Sequence, residues 1–291
     1  MAVSDDLNPR SSRTPLPAGW PLWIRQVQAL VGISLHKALT GRRSLAYYAV
    51  AAAPVFLMMV FVVVKRPGGD PLFSTLGDAR TAYANIFQTV MLRGLIFFGC
   101  VGIFTTLFRG EVLERSLHYL LLSPLRRSVL VTGKYFAGLL LAWVLFGGSV
   151  LFSFLLMYPP FGMGRALEDL TGGPGGGQLF AYLGVTMLAC VGYGAVFLIL
   201  GLLFKNPIIP AAVVLGWESI NFLLPPALKK ISVTHHLKGM VPLPMSEGPF
   251  AVVAEPPPVW FSVTALIGLT VVVLFAATAL LRRMEVNYGD D

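Results

Sequence analysis

The sequence predicts an all-α membrane protein with six transmembrane helices. An amphipathic N-terminal helix lies on the membrane surface, and a further short helix sits in a cytoplasmic loop. Three observations predict this. First, of 291 residues 56% are hydrophobic and only 12% charged, and the mean hydropathy is +0.74. Soluble domains are about one-quarter charged, so the chain reads as one polytopic membrane domain. Second, six apolar runs of span length are separated by short polar or Pro/Gly-rich stretches. Third, with both termini placed in the cytoplasm, 14 of the 22 lysines and arginines fall inside and 7 outside, with Arg93 within a span. Cytoplasmic loops carry such an excess.

Residues 1–19 are polar and proline-rich, and read as a disordered cytoplasmic tail without the apolar core of a signal peptide. Residues 20–291 read as a single transmembrane domain. From Trp20 to Leu39, the residues Trp20, Trp23, Val27, Leu30, Val31 and Leu35 share one helical face, with Arg25, Gln28 and Lys37 elsewhere. Tryptophan suits the headgroup region, so this helix is expected on the inner surface. A helix packed on its own protein would show the same pattern. Gly41-Arg42-Arg43 then marks the cytoplasmic edge.

The first span is predicted over 44–64. At about 1.5 Å per residue it is long enough for a hydrocarbon core of about 30 Å. A kink is expected at Pro54, and a small-residue packing face at Ala49 and Ala53. The second span is predicted over 82–107, the third over 130–157 and the fourth over 179–204. In the third, Gly133/Ala137 and Gly138/Ala142 permit close helix approach. The run Thr-Gly-Gly-Pro-Gly-Gly-Gly at 171–177 is expected to be a flexible outer loop. Lys205-Asn206-Pro207 is so short a turn that the flanking spans must be antiparallel neighbours. The fifth span is predicted over 208–224, and the sixth over 259–281, stopped by Arg282-Arg283.

The densest set of charges lies between the second and third spans, from Phe108 to Lys134. Leu113, Leu117, Leu120 and Leu121 recur at helical spacing. Glu111 and Arg115 are four apart, as are Glu114 and His118, on the polar side. Ser123-Pro124 ends the helix, and Arg126 and Arg127 follow. Such a helix between two spans suits the receipt of force from outside the membrane, and it equally suits a plain interfacial anchor.

The order of acidic residue, Arg-Ser-Leu, leucine run, Ser-Pro, basic residues and Gly-Lys-Tyr resembles the ABC-2 type permeases. Glu111, Glu114, Leu117, Leu121, Ser123, Pro124, Arg126, Gly133 and Lys134 match that pattern. The resemblance implies the membrane subunit of an ATP-binding cassette exporter in a bacterial inner membrane, with an elbow helix at the N-terminus. It implies that the loop 109–127 docks on a separate ATPase subunit through Glu111, Glu114, Arg115, Leu117, Leu121, Pro124 and Arg126. It also implies a second permease copy, with ATP and Mg²⁺ on the ATPase and no cofactor in this chain.

The chain itself offers no nucleotide site. Gly133-Lys134 is followed by Tyr135, and Ser128 stands where a phosphate-binding loop needs its first glycine. HExxH and GxSxG are absent, so no enzyme activity is expected. Charge within the spans is mainly Arg93 and Glu218, about 21 Å and about 18 Å above the inner edge. They are expected either to form an ion pair or, with Asn221, to line a polar part of the transport path. His235 and His236 point different ways, with no Asp, Glu or Cys close by, which favours local structure over a metal. Cys100 and Cys190 both fall in apolar runs, against a disulfide framework. The 20 Phe, 9 Tyr and 5 Trp fit lipid-facing and interfacial positions. The net charge of +8 reflects residues that orient spans, with no need of nucleic acid. The alternative class is a channel, secondary carrier or assembly scaffold without an ATPase. Secondary carriers tend to show internal repeats and broken helices; this sequence has no repeat, and its clear intraspan proline is Pro54.

Overall fold

The computed structural model describes residues 20–41, 44–64, 73–113, 126–204, 206–243 and 257–283. Among the described residues there is no strand, and five helices are long and apolar enough to cross a membrane. Helix α1 (Trp20–Thr40) is not one of the five. Its predicted apolar face is turned to the protein: Leu30 is buried, and Trp23, Val27 and Leu35 pack against the core. Ile24 and Ile33 stay exposed on its other sides.

Helix α2 (Ser44–Val63) runs through Pro54. Its Tyr47 hydroxyl lies 3.2 Å from the Gly102 carbonyl oxygen and 3.1 Å from Thr106 Oγ1, which ties the first span to the second. Of the expected small-residue face, Ala49 is exposed and Ala53 half-buried. Helix α3 (Leu76–Ile86) opens with a capping box. Thr75 Oγ1 accepts from the Asp78 N–H at 3.1 Å, and the Asp78 carboxylate accepts from the Thr75 N–H at 3.1 Å, which satisfies two donors that a helix start leaves free. The helix continues through a π-helical stretch, Phe87–Ile96, into α4 (Phe97–Leu113).

The third span is α5 (Arg127–Ala142), a π-helical stretch Trp143–Gly147, and α6 (Gly148–Leu155). The small residues expected to admit close approach do so here: Gly133 faces Leu30 of α1, and Gly138 faces Phe104 and Leu107 of α4. Helix α7 (Met163–Thr171) leads to α8 (Pro174–Leu203). The expected flexible glycine run is in fact a turn plus the first turn of α8, started by Pro174. Lower down, a Cβ on Gly201 would stand 2.7 Å from Thr105 Cα, so only glycine lets α8 lie against α4 backbone to backbone.

The predicted fifth span, 208–224, is realised differently. Helix α9 (Ile208–Ser219) has 12 residues, about 18 Å of rise, and gives way to a 3₁₀ turn, Asn221–Leu223. Two short helices follow, α10 (Pro226–Lys229) and α11 (Val233–Lys238), before α12 (Val259–Arg283). The physical reason is a set of bonds back along the chain: Glu218 holds residues 232–234, so the chain folds back after less than one full crossing of helix rather than running straight.

Helix ends define two ends of the bundle. The end of α4, the start of α5, the end of α12 and α1 meet at what we call the near end. The starts of α3 and α8 meet α7 at the far end. Helix α8 finishes at the near end and α12 starts at the far end, so the segment between them travels the length of the bundle. It passes Gly192 with Val233 and then Gln88, whose Nε2 donates to the Leu243 carbonyl at 2.7 Å.

Aromatic residues were expected at lipid and interface, yet the largest fully buried side chains include Tyr83, Phe87, Phe104, Phe154, Tyr182 and Tyr193. Tyr83 packs edge-on to Phe154 at 5.1 Å and to Tyr182 at 5.2 Å between centroids. Such pairs add interaction beyond burial alone. In a helix bundle without a hydrophobic driving force between spans, ring packing supplies much of the cohesion.

Candidate functional site

The near end is built from the two helices that bracket the charged loop. Lys134, the lysine of Gly-Lys-Tyr, is only 1% exposed. Its Nζ donates to the Leu107 carbonyl at 2.8 Å and stands 5.1 Å from the centre of the Phe108 ring. Both partners lie in the last two turns of α4, so a cation meets the negative end of a helix. Arg127, the first residue of α5, donates to the Leu281 carbonyl near the end of α12. Arg126 precedes it in extended conformation, its guanidinium 4.7 Å from the Trp23 ring centroid. The loop therefore leaves α4 and enters α5 at points bonded to each other, to α1 and to α12.

Of the seven residues expected to meet an ATPase, Arg126 is the one with a described side chain. Glu114, Arg115, Leu117, Leu121 and Pro124 lie outside the described residues, as does the Glu111 side chain at the end of α4. Lys134 and Arg127 were visible in the sequence only as motif residue and topology marker. Their carbonyl partners leave no sequence signal, because any residue supplies a carbonyl.

The second candidate region surrounds Glu218. Its carboxylate accepts from the Ser232 hydroxyl at 2.5 Å, from the Val233 N–H at 3.0 Å and from the Thr234 N–H at 3.2 Å. Val233 and Thr234 open α11, so an acid caps a helix start. Thr234 Oγ1 in turn lies 2.8 Å from the Tyr193 hydroxyl of α8. No ion pair joins Arg93 to Glu218 among the described residues. The three donors already satisfy the carboxylate, and Arg93 is exposed on the π-helical stretch of the second span. Asn221 is buried, and its Nδ2 has no hydrogen-bond partner among the described residues. His236 Nε2 lies 2.9 Å from the Lys230 carbonyl and its ring is 6.0 Å from Phe261, a packing role.

A third cluster was not anticipated. At the far end Asp169 of α7 pairs with Arg80 of α3 and accepts from the Tyr158 hydroxyl at 2.7 Å. Burial alone would raise the Asp169 pKa. The Arg80 and Tyr158 hydrogen bonds, the Arg80 charge and the Gly175 N–H outweigh it and hold the carboxyl below the ordinary carboxylate range. A Cβ on Gly175 would run into this carboxylate, which explains a glycine there. Nothing in the sequence distinguished Asp169 from its neighbour Glu168.

Span-length apolar helices packed through buried glycines and rings are the build of a multi-pass membrane protein. The chain belongs to the ABC-2 transporter family: a family model described as ABC-2 family transporter protein matches residues 40–216, more than half of the chain. It is accordingly a transmembrane permease of the ABC transporter class, a family that generally works with an ABC ATPase subunit. None of the curated proteins compared with the chain matches it.

Proposed function

We propose that this chain is the permease of a bacterial inner-membrane ABC exporter, working as a homodimer with two ATPase subunits that bind ATP and Mg²⁺. The near end faces the cytoplasm, as the excess of basic residues there favours. Both termini are cytoplasmic, α1 is the elbow helix, and the broken α9 segment makes the fifth of six crossings. The segment from Glu111 through Glu114, Arg115, Leu117, Leu121 and Pro124 to Arg126 receives the ATPase. Arg93, exposed on the second span, faces the path between two copies, where a charge avoids the cost of meeting lipid.

The observation that carries this reading is the Lys134 bond to the Leu107 carbonyl at 2.8 Å, with Arg127 bonded to α12 beside it. A push on the loop then moves the second, third and last spans together instead of bending a free hairpin. The test is co-expression with its ATPase subunit and comparison of Leu117→Asp and Glu114→Ala with the wild type. Loss of co-purification and of permease-stimulated ATP turnover is expected. Unchanged assembly and turnover, or full transport without the ATPase, would overturn the reading in favour of a channel or secondary carrier.

A further inference from the structure

Helix α7, at the far end, divides its 9 residues into three strips. At about 100° per residue, Ala166, Asp169 and Leu170 share one side, and Ala166 and Asp169 are buried. A Cβ on Gly173 or Gly175 would meet Asp169, and one on Gly176 would run into the Leu170 carbonyl. This side therefore lies on the first turn of α8. Next to it runs an apolar strip, Met163 and Leu167, one turn apart and 85% and 63% exposed. The remaining side carries Gly164, Arg165, Glu168 and Thr171, all exposed. Protein contact, exposed apolar strip and exposed polar strip thus follow one another round the helix.

The length of α8 fixes the level of α7. Its 30 residues rise about 45 Å, against a hydrocarbon core of about 30 Å. Shared between the two ends, the excess leaves about five residues of α8 in each headgroup layer. At the far end those are Pro174 to Gln178; the apolar run begins at Leu179, and Phe180 is exposed. Packed on Gly175 and Gly176, α7 lies in that layer. We propose that α7 is an interfacial helix of the far leaflet. Met163 and Leu167 enter the boundary between headgroups and acyl chains, and Arg165 and Glu168 face water. An interfacial helix sinks its apolar side about 5–10 Å into that boundary and keeps its charges above it. Level therefore selects a lipid surface as the partner of the strip. The Asp169 pair with Arg80 and the bond from the Tyr158 hydroxyl fasten α7 to the start of the second span and the end of the third. Lipid under α7 thus holds the far ends of these spans and of α8. The proposal rests on membrane residence, and not on ATPase docking, the direction of transport or the side on which the far end lies.

The test uses the full-length permease without any ATPase, in nanodiscs of phosphatidylglycerol and phosphatidylcholine. Met163→Cys, Arg165→Cys, Leu167→Cys and Glu168→Cys, made singly, each take a nitroxide label at an exposed position. Phe180→Cys gives a reference within the span. The native Cys100 and Cys190 are buried, away from the label. Collisions of each label with oxygen, which concentrates in lipid, are compared with those of a water-soluble nickel complex. Labels at 163 and 167 are expected to meet oxygen more than nickel and to lie shallower than the label at 180. Labels at 165 and 168 are expected to show the reverse ratio. Nickel reaching 163 and 167 as freely as 165 and 168 would overturn the proposal, leaving a strip open to a soluble partner. Exclusion of both reagents from 163 and 167 would also overturn it, with a protein surface such as a second copy as the cover. Because the ATPase is absent, failure here leaves the proposed coupling untouched, and failure of coupling leaves this test intact.

Discussion

The near and far ends of the bundle solve one problem with opposite charges. At the near end, Lys134 and Arg127 donate to carbonyls in the last turns of α4 and α12. At the far end Asp169, and in mid-bundle Glu218, accept from N–H groups in the first turns of α8 and α11. Cations meet helix C-termini and anions meet helix N-termini, as the helix dipole favours. The two solutions differ in stiffness. Each cation reaches its carbonyl by a long, flexible side chain, whereas each carboxylate gathers several donors on a short or buried one. The Asp169 cluster at the far end and the Glu218 cluster in mid-bundle therefore act as clamps, and the near junction as a joint that can transmit movement and still adjust.

Four substitutions break or sharpen this contrast, the largest effect first. Glu218→Ala leaves a hydroxyl and two N–H groups buried without their acceptor. It is expected to cost about 4 kcal/mol in thermal unfolding of the detergent-solubilised protein. A variant as stable as the wild type would remove one of the two clamps from the comparison. Asp169→Asn is expected to cost about 2 kcal/mol at neutral pH. Its pH dependence has a definite sign. The folded-state pKa is depressed, so the stabilisation is complete above the ordinary carboxylate range and is lost as pH falls through that range to the lowered value. The stability gap between wild type and Asp169→Asn should thus close on acidification, and a gap that widens would contradict the clamp.

At the joint the effects are smaller. Lys134→Met keeps the bulk and removes the donor to Leu107, with an expected loss of about 1 kcal/mol. In the complex with its ATPase, the same variant should lower transport per ATP hydrolysed more than it lowers stability. Equal transport per ATP in that variant would mean that the junction carries no force. Arg126→Gln removes only an exposed cation–ring contact and is expected to cost about 0.5 kcal/mol, read by denaturant unfolding. An effect as large as that of Asp169→Asn would erase the distinction between joint and clamp.

Legibility in the sequence differed by element. Spans one to four and the last were readable to within several residues, because twenty apolar residues leave a helix few alternatives in a bilayer. The second, third and fourth helices run longer than predicted, since Leu76, Arg127 and Pro174 begin them outside the apolar windows. The π-helical stretches at Phe87–Ile96 and Trp143–Gly147 had no signal in the sequence. The predicted fifth span differs in form, a 12-residue helix and a 3₁₀ turn in place of one straight helix, because hydropathy does not register that Glu218 bonds to the start of α11. An Arg93–Glu218 ion pair was one of two expectations; among the described residues Glu218 accepts instead from donors at 232–234, which matching depth does not register.

The sequence by itself determined that this chain lives in a membrane, where its long apolar helices lie along the chain, and which loop concentrates charge. Those properties are local, because each span must satisfy its own backbone in lipid. Only the tertiary structure decided which polar groups meet. Lys134 and its carbonyl are 27 residues apart, and Arg80 and Asp169 are 89 apart. Such pairs depend on which faces of the spans come together, and that is set by buried glycines and rings packing across helices rather than by any stretch read alone.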